Sequence, residues 1–257
     1  MKSIKLDGID IKDIISIAKK AGQRILGFYD NDIEVVTKQD SSPLTKADLA
    51  AHNLIIDSLK NLFPDMPILS EESKEIAWDE RKKWKAYWLV DPLDGTKEFI
   101  NKNGEFTVNI ALIENHKPVL GVVYAPVIDT TWVGSINYSP KKIVGNTIRN
   151  IQVKKHMPGE VWKVVGSRSH AGETLLDFLE KLGDYELLSK GSSIKICMIA
   201  EGAAHIYPRL GLTSEWDTAA AHAVVNAAGG RVCEYNSDKE ITYNTKESLL
   251  NPFFVAG

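Results

Sequence analysis

The sequence predicts an α+β fold, with an antiparallel sheet in a first lobe and a mixed sheet in a second. Three observations carry this. Two early stretches place apolar residues at helical spacing, three strand-like runs between Phe106 and Val133 are joined by short turns, and beyond residue 160 strand and helix alternate. A chain of 257 residues, 44% hydrophobic and 25% charged, can bury one large core or two small lobes.

Asp10 to Tyr29 reads as an amphipathic packing helix, with Ile11, Ile14, Ile15, Ala18, Ala21, Ile25 and Leu26 on one face. Ile33 to Thr37 is a short strand. The polar stretch Lys38 to Pro43 reads as a mobile border to a site. Thr45 opens a second helix that runs to about Leu62. Thr45 fits the N-cap, and Asp48 is favourable near the positive helix end, so capping alone accounts for both.

Pro67 to Ser73 is a short apolar strand ending in Glu71 and Glu72, and Lys74 to Lys85 is a charged surface connection carrying tryptophans. The apolar run Trp88-Leu89-Val90 ends in Asp91-Pro92-Leu93-Asp94-Gly95-Thr96. Pro92 fixes φ and lacks an N–H, so the chain is expected to leave the sheet there. Gly95 permits a tight bend, and Lys97 to Gly104 reads as a loop.

Strands over Phe106–Ile113, Val119–Tyr124 and Thr131–Val133 form a meander. Glu114 to Lys117 supplies its first turn, with His116 expected in solvent. A looser region from Ile136 to Pro158 suggests a lobe boundary near residue 140, giving lobes 1–140 and 141–257 in one continuous unit. In the second lobe, strands are expected at Val161–Val165, His205–Tyr207, Arg231–Tyr235 and Phe253–Ala256. Helices are expected at Gly172–Leu182, Ser193–Glu201 and Asp217–Ala228, the last stopped by Gly229-Gly230. There is no internal repeat.

A formal charge of −3 and a pI near 6.1 argue against a nucleic-acid polymer as partner, while allowing a local basic pocket for a small anion. Two cysteines, Cys197 and Cys233, cannot build a disulfide scaffold, which fits a reducing, cytoplasmic setting. Lys2, Lys5, Asp7 and Asp10 break up any secretory leader. No apolar run approaches the roughly 18–20 residues of a membrane span. Peripheral attachment to the cytoplasmic face of an inner membrane stays open, as does the choice between monomer and homodimer.

The chemistry lies in the acids. Asp-Pro and Asp-Gly are ordinary turn pairs, Glu71-Glu72 can be a solvated pair, and Asp217 can be a helix-dipole partner. Yet Glu71, Asp91, Asp94 and Asp217 each stand at an element terminus. Four such acids converging without a cation would repel one another, and Mg²⁺, which takes oxygen ligands, would relieve that repulsion. The Ala-rich face after Asp217 would allow the close packing that convergence needs, while His222 reads as structural.

Asp91-Pro92-Leu93-Asp94-Gly95-Thr96, Glu71-Glu72-Ser73 and Trp216-Asp217-Thr218-Ala219-Ala220 together resemble the inositol monophosphatase superfamily of Mg²⁺-dependent, lithium-sensitive phosphomonoesterases. The likeness runs from the Thr45–Asp48 helix to Asn251-Pro252-Phe253. The extended Tyr87–Phe99 stretch, Gly191-Ser192-Ser193-Ile194-Lys195 and Tyr207-Pro208-Arg209 are similar to its CysQ branch, the 3′(2′),5′-bisphosphate nucleotidases.

The resemblance implies a layered α-β-α-β-α sandwich of the sugar-phosphatase type. It implies two or three Mg²⁺ ions on Glu71, Asp91, Asp94, Asp217 and the Leu93 carbonyl. It also implies a water-activating pair, Asp48 and Thr96, working beside Glu71. The first lobe would carry most metal ligands, and the second would add Asp217 and substrate-binding residues. Substrate would touch Glu71, Leu93, Asp94, Gly95, Thr96, Ser192, Lys195, Arg209 and Asp217, with Lys195 and Arg209 on a retained 5′-phosphate. Their alternative is ordinary surface charge. Ser169-His170 resembles a loop on the nucleoside side. The implied reaction is direct attack of activated water on adenosine 3′,5′-bisphosphate, releasing AMP and phosphate. The alternatives are an inositol monophosphatase, which changes only the pocket, and a catalytically silent nucleotide-binding protein.

Overall fold

The computed structural model describes residues 8–29, 35–37, 43–166 and 173–257. Lys38 to Ser42, Ser169-His170 and the first residues of the strand expected at Ile33 lie outside that set.

Helix α1 spans Ile11–Tyr29, and the three-residue strands β1 (Val35–Thr37) and β2 (Pro43–Thr45) form an antiparallel pair. Helix α2 (Lys46–Leu62) begins on a full capping box: Thr45 takes the backbone N–H of the first turn, and Asp48 returns a carboxylate to the Thr45 N–H. Both helices pack on one face of a seven-stranded sheet, because Ile14, Ile17, Ala21, Ile25, Ile55 and Leu59 form a continuous apolar stripe with strand residues such as Val90, Val108 and Val122.

That sheet is ordered β3-β4-β5-β6-β7-β8-β9. Its strands are β3 (Ile68–Ser70), β4 (Ala86–Asp94), β5 (Thr107–Glu114), β6 (Lys117–Ala125), β7 (Thr130–Ser135), β8 (Tyr138–Val144) and β9 (Thr147–Asn150), with the short α3 (Trp78–Arg81) between β3 and β4. It is antiparallel except for β3 and β4, which run parallel, so the first-half sheet is mixed rather than wholly antiparallel. Ile136 to Pro158 is less loose than expected: β8 and β9 extend the meander through residue 150, and residue 140 falls inside β8. Polar residues such as Ser139, Lys141, Lys142, Arg149 and Asn150 hide the strand signal, because neither strand contains a fully buried residue.

Three further expectations are corrected. Pro92 does not end the strand. β4 continues to Asp94 through a bulge, where Asp91 pairs with Asn109 and Asp94 with Thr107, so Pro92 sits where no ladder N–H is required. The loop expected after Thr96 opens as a short helix, α4 (Thr96–Ile100), which buries Phe99. His116 is half-buried rather than solvated, and its Nδ1 lies 2.9 Å from the Tyr243 carbonyl.

In the second half, β10 (Trp162–Gly166) pairs in parallel with β11 (Tyr185–Ser189), a strand not foreseen, and α5 (Glu173–Leu182) packs on β10. Next come α6 (Ile194–Ala200), β12 (Tyr207–Arg209), α7 (Glu215–Ala227), β13 (Val232–Glu234) and β14 (Phe254–Ala256). Strand β12 forms two residues later than expected, in an antiparallel trio ordered β12-β14-β13. The two small sheets meet at one parallel bridge, Val164 to Ile206.

Helix α7 lies on the opposite face of the large sheet from α1 and α2. It fits closely because Gly121 of β6 faces it: a Cβ there would stand 2.0 Å from the Ala220 carbonyl oxygen. Small residues on both sides thus decide how near the helix comes.

Candidate active site

Strands β3 and β4 are parallel neighbours, so their carboxyl ends share one edge. The Glu71 N–H donates to the Val90 carbonyl at 3.1 Å, placing Glu71 one residue beyond β3 and beside Asp91. The bulge then returns the chain so that Asp91 and Asp94 share one locality. Helix α7 brings Asp217 to them from the far side of the sheet. Carboxylate oxygens of Asp91, Asp94 and Asp217 lie within 4.8 Å of one another.

This is an electrostatically costly arrangement. Asp91 is 1% exposed, and its carboxyl is pushed well above the usual range by burial and then by Glu71, Asp94 and Asp217. Asp217 is pushed the same way by burial and by Asp94 and Glu71, against the stabilising Ser214 N–H. Leu93 N–H donates to Asp91 at 3.0 Å, Ser214 N–H to Asp217 at 2.9 Å, and the Ser192 hydroxyl to Asp94 at 2.7 Å. An all-oxygen, mutually repelling set fits a hard divalent cation. Leu93 adds its backbone, with its side chain buried in the core and its carbonyl facing the Thr96 hydroxyl at 3.4 Å.

Asp48 is 1% exposed and holds both Thr45 and Thr96. One oxygen takes the Thr45 N–H at 2.7 Å and the Thr45 hydroxyl, and the other takes the Thr96 hydroxyl at 3.3 Å. Capping and contact with Thr96 therefore coexist. Gly95 precedes Thr96 with φ +92°, a left-handed turn that starts α4 and leaves little space for a side chain beside Glu98 and Ser192.

A cleft of about 170 Å³ opens beside the acids, lined among others by Asp94, Gly95, Ser192, Lys195, Arg209 and Asp217. Lys195 is 8% exposed, and burial lowers its pKa, partly offset by Asp94. Its Nζ lies 5.9 Å from the centre of the Tyr207 ring. Arg209 ends β12 and donates to the Leu212 carbonyl at 2.8 Å, while its buried Nε lacks a partner among the described residues. Lys195 is buried and Arg209 half-buried, so neither is a fully solvated surface charge, and both stand in the wall of the cleft.

Sequence reasoning missed several neighbours. Thr107, Asn109 and Ser193 surround Asp94. Glu105 accepts the Gly191 N–H at 2.8 Å and pairs with Lys190 at 3.0 Å, fixing the turn before α6. Glu215, pushed up to about 7 by burial, takes the Asn244 N–H, and Asn244 in turn holds Arg81, so the start of α7 is anchored to α3. A signal was available for two of these. Thr107 and Asn109 are alternate polar residues inside the otherwise apolar strand β5.

The sequence pattern of the inositol monophosphatase family matches residues 10–252. The chain belongs to that family. It is 49% identical over 246 residues, 95% of this chain and 98% of the relative, to a protein of Salmonella typhimurium named 3′(2′),5′-bisphosphate nucleotidase CysQ. It is 48% identical, with the same coverage, to the Escherichia coli protein of that name. The crystal structure of CysQ from Bacteroides thetaiotaomicron, a bacterial member of the inositol monophosphatase family, superposes with a TM-score of 0.84 at 39% identity over 95% of both chains. Among the described residues, no helix is long and apolar enough to cross a membrane.

Proposed function

We propose that the chain is a Mg²⁺-dependent phosphomonoesterase that hydrolyses adenosine 3′,5′-bisphosphate to AMP and phosphate. One observation carries this reading: the cleft that holds Asp94 and Asp217 of the acid cluster is also lined by Lys195 and Arg209. A substrate with two phosphate groups needs both features side by side. The names of the relatives above support the nucleotide as that substrate.

Glu71, Asp91, Asp94, Asp217 and the Leu93 carbonyl are the groups that would hold Mg²⁺. Bound divalent ions would supply charge stabilisation on the phosphoryl oxygens and lower the pKa of water. The protein's own part is positioning. Because the Thr96 hydroxyl can donate to Asp48, its oxygen is left to accept a hydrogen bond from an attacking water, and the proton that the water gives up would pass through Thr96 to the Asp48 carboxylate. Asp48 keeps that hydroxyl turned, being itself held by Thr45. Arg209 and Lys195 would hold the retained 5′-phosphate, Arg by its fork and Lys as a point charge, with Ser192 and the Gly95–Thr96 backbone nearby. No nucleophilic side chain is required, and Cys197, the nearer thiol, is buried with its pKa raised by burial.

The test is phosphate release from adenosine 3′,5′-bisphosphate, inositol phosphate and fructose bisphosphate, with and without Mg²⁺ and Li⁺. Expected is Mg²⁺-dependent, Li⁺-inhibited release with the nucleotide preferred. Preference for either sugar phosphate would reject the nucleotide assignment.

A further inference from the structure

Asp94 is held by more donors than are seen at Asp91 or Asp217 among the described residues. Its Oδ2 receives the Ser192 hydroxyl at 2.7 Å and the Ser193 N–H at 2.5 Å, with the Thr107 hydroxyl and the Asn109 amide each at 3.4 Å. Behind these donors lies a sealed polar knot. The Thr107 oxygen sits 2.6 Å from the Ser192 hydroxyl, 2.8 Å from that of Ser193 and 3.1 Å from Asn109 Oδ1. The Ser193 hydroxyl also donates to Asn109 Oδ1 at 2.9 Å. Thr107 and Asn109 are 0% and 1% exposed, so neither touches solvent or a ligand in the cleft.

Buried polar side chains in a strand are costly unless they organise something. Here they join the bulged end of β4, the strand β5 and the turn before α6. That turn needs holding, because Ser192 adopts φ +55°, a left-handed conformation unfavourable for a residue with a Cβ.

We propose that Thr107 and Asn109 are positioning residues. Together they tie Asp94 Oδ2 to the protein, so that the other carboxylate oxygen is presented singly and in a fixed direction to a divalent cation. They also make the Ser192–Ser193 turn, which lines the anion cleft, part of the same rigid unit. Partners that orient a ligating carboxylate typically alter metal affinity about 10–100-fold when removed. This inference rests on the metal-site reading above.

The experiment is calorimetric titration of the intact protein with Mg²⁺ in the absence of substrate, for wild type, Thr107→Val and Thr107→Ser. Valine keeps the shape and removes the hydroxyl. Its Mg²⁺ dissociation constant should rise about tenfold or more. kcat at subsaturating Mg²⁺ should fall, KM for the bisphosphate should change much less, and Thr107→Ser should recover most of the affinity. Should Thr107→Val fail to fold, Ser193→Ala serves: it cuts the knot on the other side, keeps the N–H on Asp94, and should weaken Mg²⁺ binding several-fold. Unchanged Mg²⁺ affinity in a folded variant overturns the proposal. Absence of Mg²⁺ binding by the wild type would instead overturn the metal-site reading itself.

Discussion

Asp94 belongs to the acid cluster and, like Asp217 and unlike Asp91, also lines the cleft that would hold substrate. Replacing it by Asn keeps the volume and most hydrogen bonds but removes the charge. We expect Asp94→Asn to lower kcat by at least about 10³-fold while nucleotide binding persists, measured by phosphate release and by titration with substrate; full hydrolysis by the variant would refute the chemistry. Lys195 and Arg209 predict a different split. Alanine at either should raise KM for the bisphosphate at least about tenfold and leave turnover of inositol phosphate nearly unchanged, if the retained phosphate is what meets them as proposed. At this scale the sequence was informative where a residue type is rare in its context. Two acids flanking a Pro in an apolar run, or an Arg after a Tyr-Pro strand, stand out. The Thr107–Asn109–Ser193 knot did not, because hydroxyls and amides inside a strand have many bland explanations, and their common target comes from other segments.

Helices with clear apolar periodicity were legible to within a few residues. For α2 the capping residues were legible too, because capping is decided locally. Thr45→Ala should cost about 1 kcal/mol of stability, and activity should fall modestly with it, since Asp48 keeps the residue 45 N–H but loses the hydroxyl bond on the same oxygen. Denaturant unfolding and kcat, measured on the same variant, check both. The bulge in β4 was not legible: Pro92 argues for a strand end, and only the pairing with β5 shows that its missing N–H falls in a gap of the ladder. β8 and β9 escaped because neither strand contains a fully buried residue, so they carry little apolar pattern. The seat of α7 yields a sharper test. Gly121→Ala places a methyl group against the Ala220 carbonyl, so the helix must shift. The expected loss is about 2–3 kcal/mol with a lowered Tm, accompanied by weaker Mg²⁺ binding because Asp217 rides on that helix.

Across the whole molecule, two sets of buried groups titrate in opposite senses. His222 is 0% exposed, and burial depresses its pKa from 6.5 to about 3, with Nδ1 2.9 Å from the Tyr243 hydroxyl. Between those values the unfolded chain takes up a proton that the folded chain refuses. Stability from this residue is therefore complete above pH 6.5 and falls toward pH 3, by up to about 1.4 kcal/mol per unit. His222→Gln should flatten the acid limb of a stability–pH curve, and an unchanged limb would contradict this. Asp91 and Asp217 act the other way: with pKa values raised by burial and mutual repulsion, the folded chain holds protons that the unfolded chain has lost, so the metal-free fold weakens as pH rises above about 4. Mg²⁺ should reverse that penalty. Its effect on Tm should be larger at pH 8 than at pH 5, and EDTA should abolish it. A pH-independent shift would show that the ion acts elsewhere.

Asp94 and Asp217 come from places well over a hundred residues apart, and they meet only because α7 settles on β6 through the gap at Gly121. The acid cluster is thus a late product of chain collapse, formed after the local helices and the β5–β6 hairpin can already exist. Ion capture becomes a stopwatch for the last docking event. In refolding experiments, Mg²⁺ uptake should trail the recovery of helical signal, and a ribosome-bound chain halted before residue 217 should be blind to the ion.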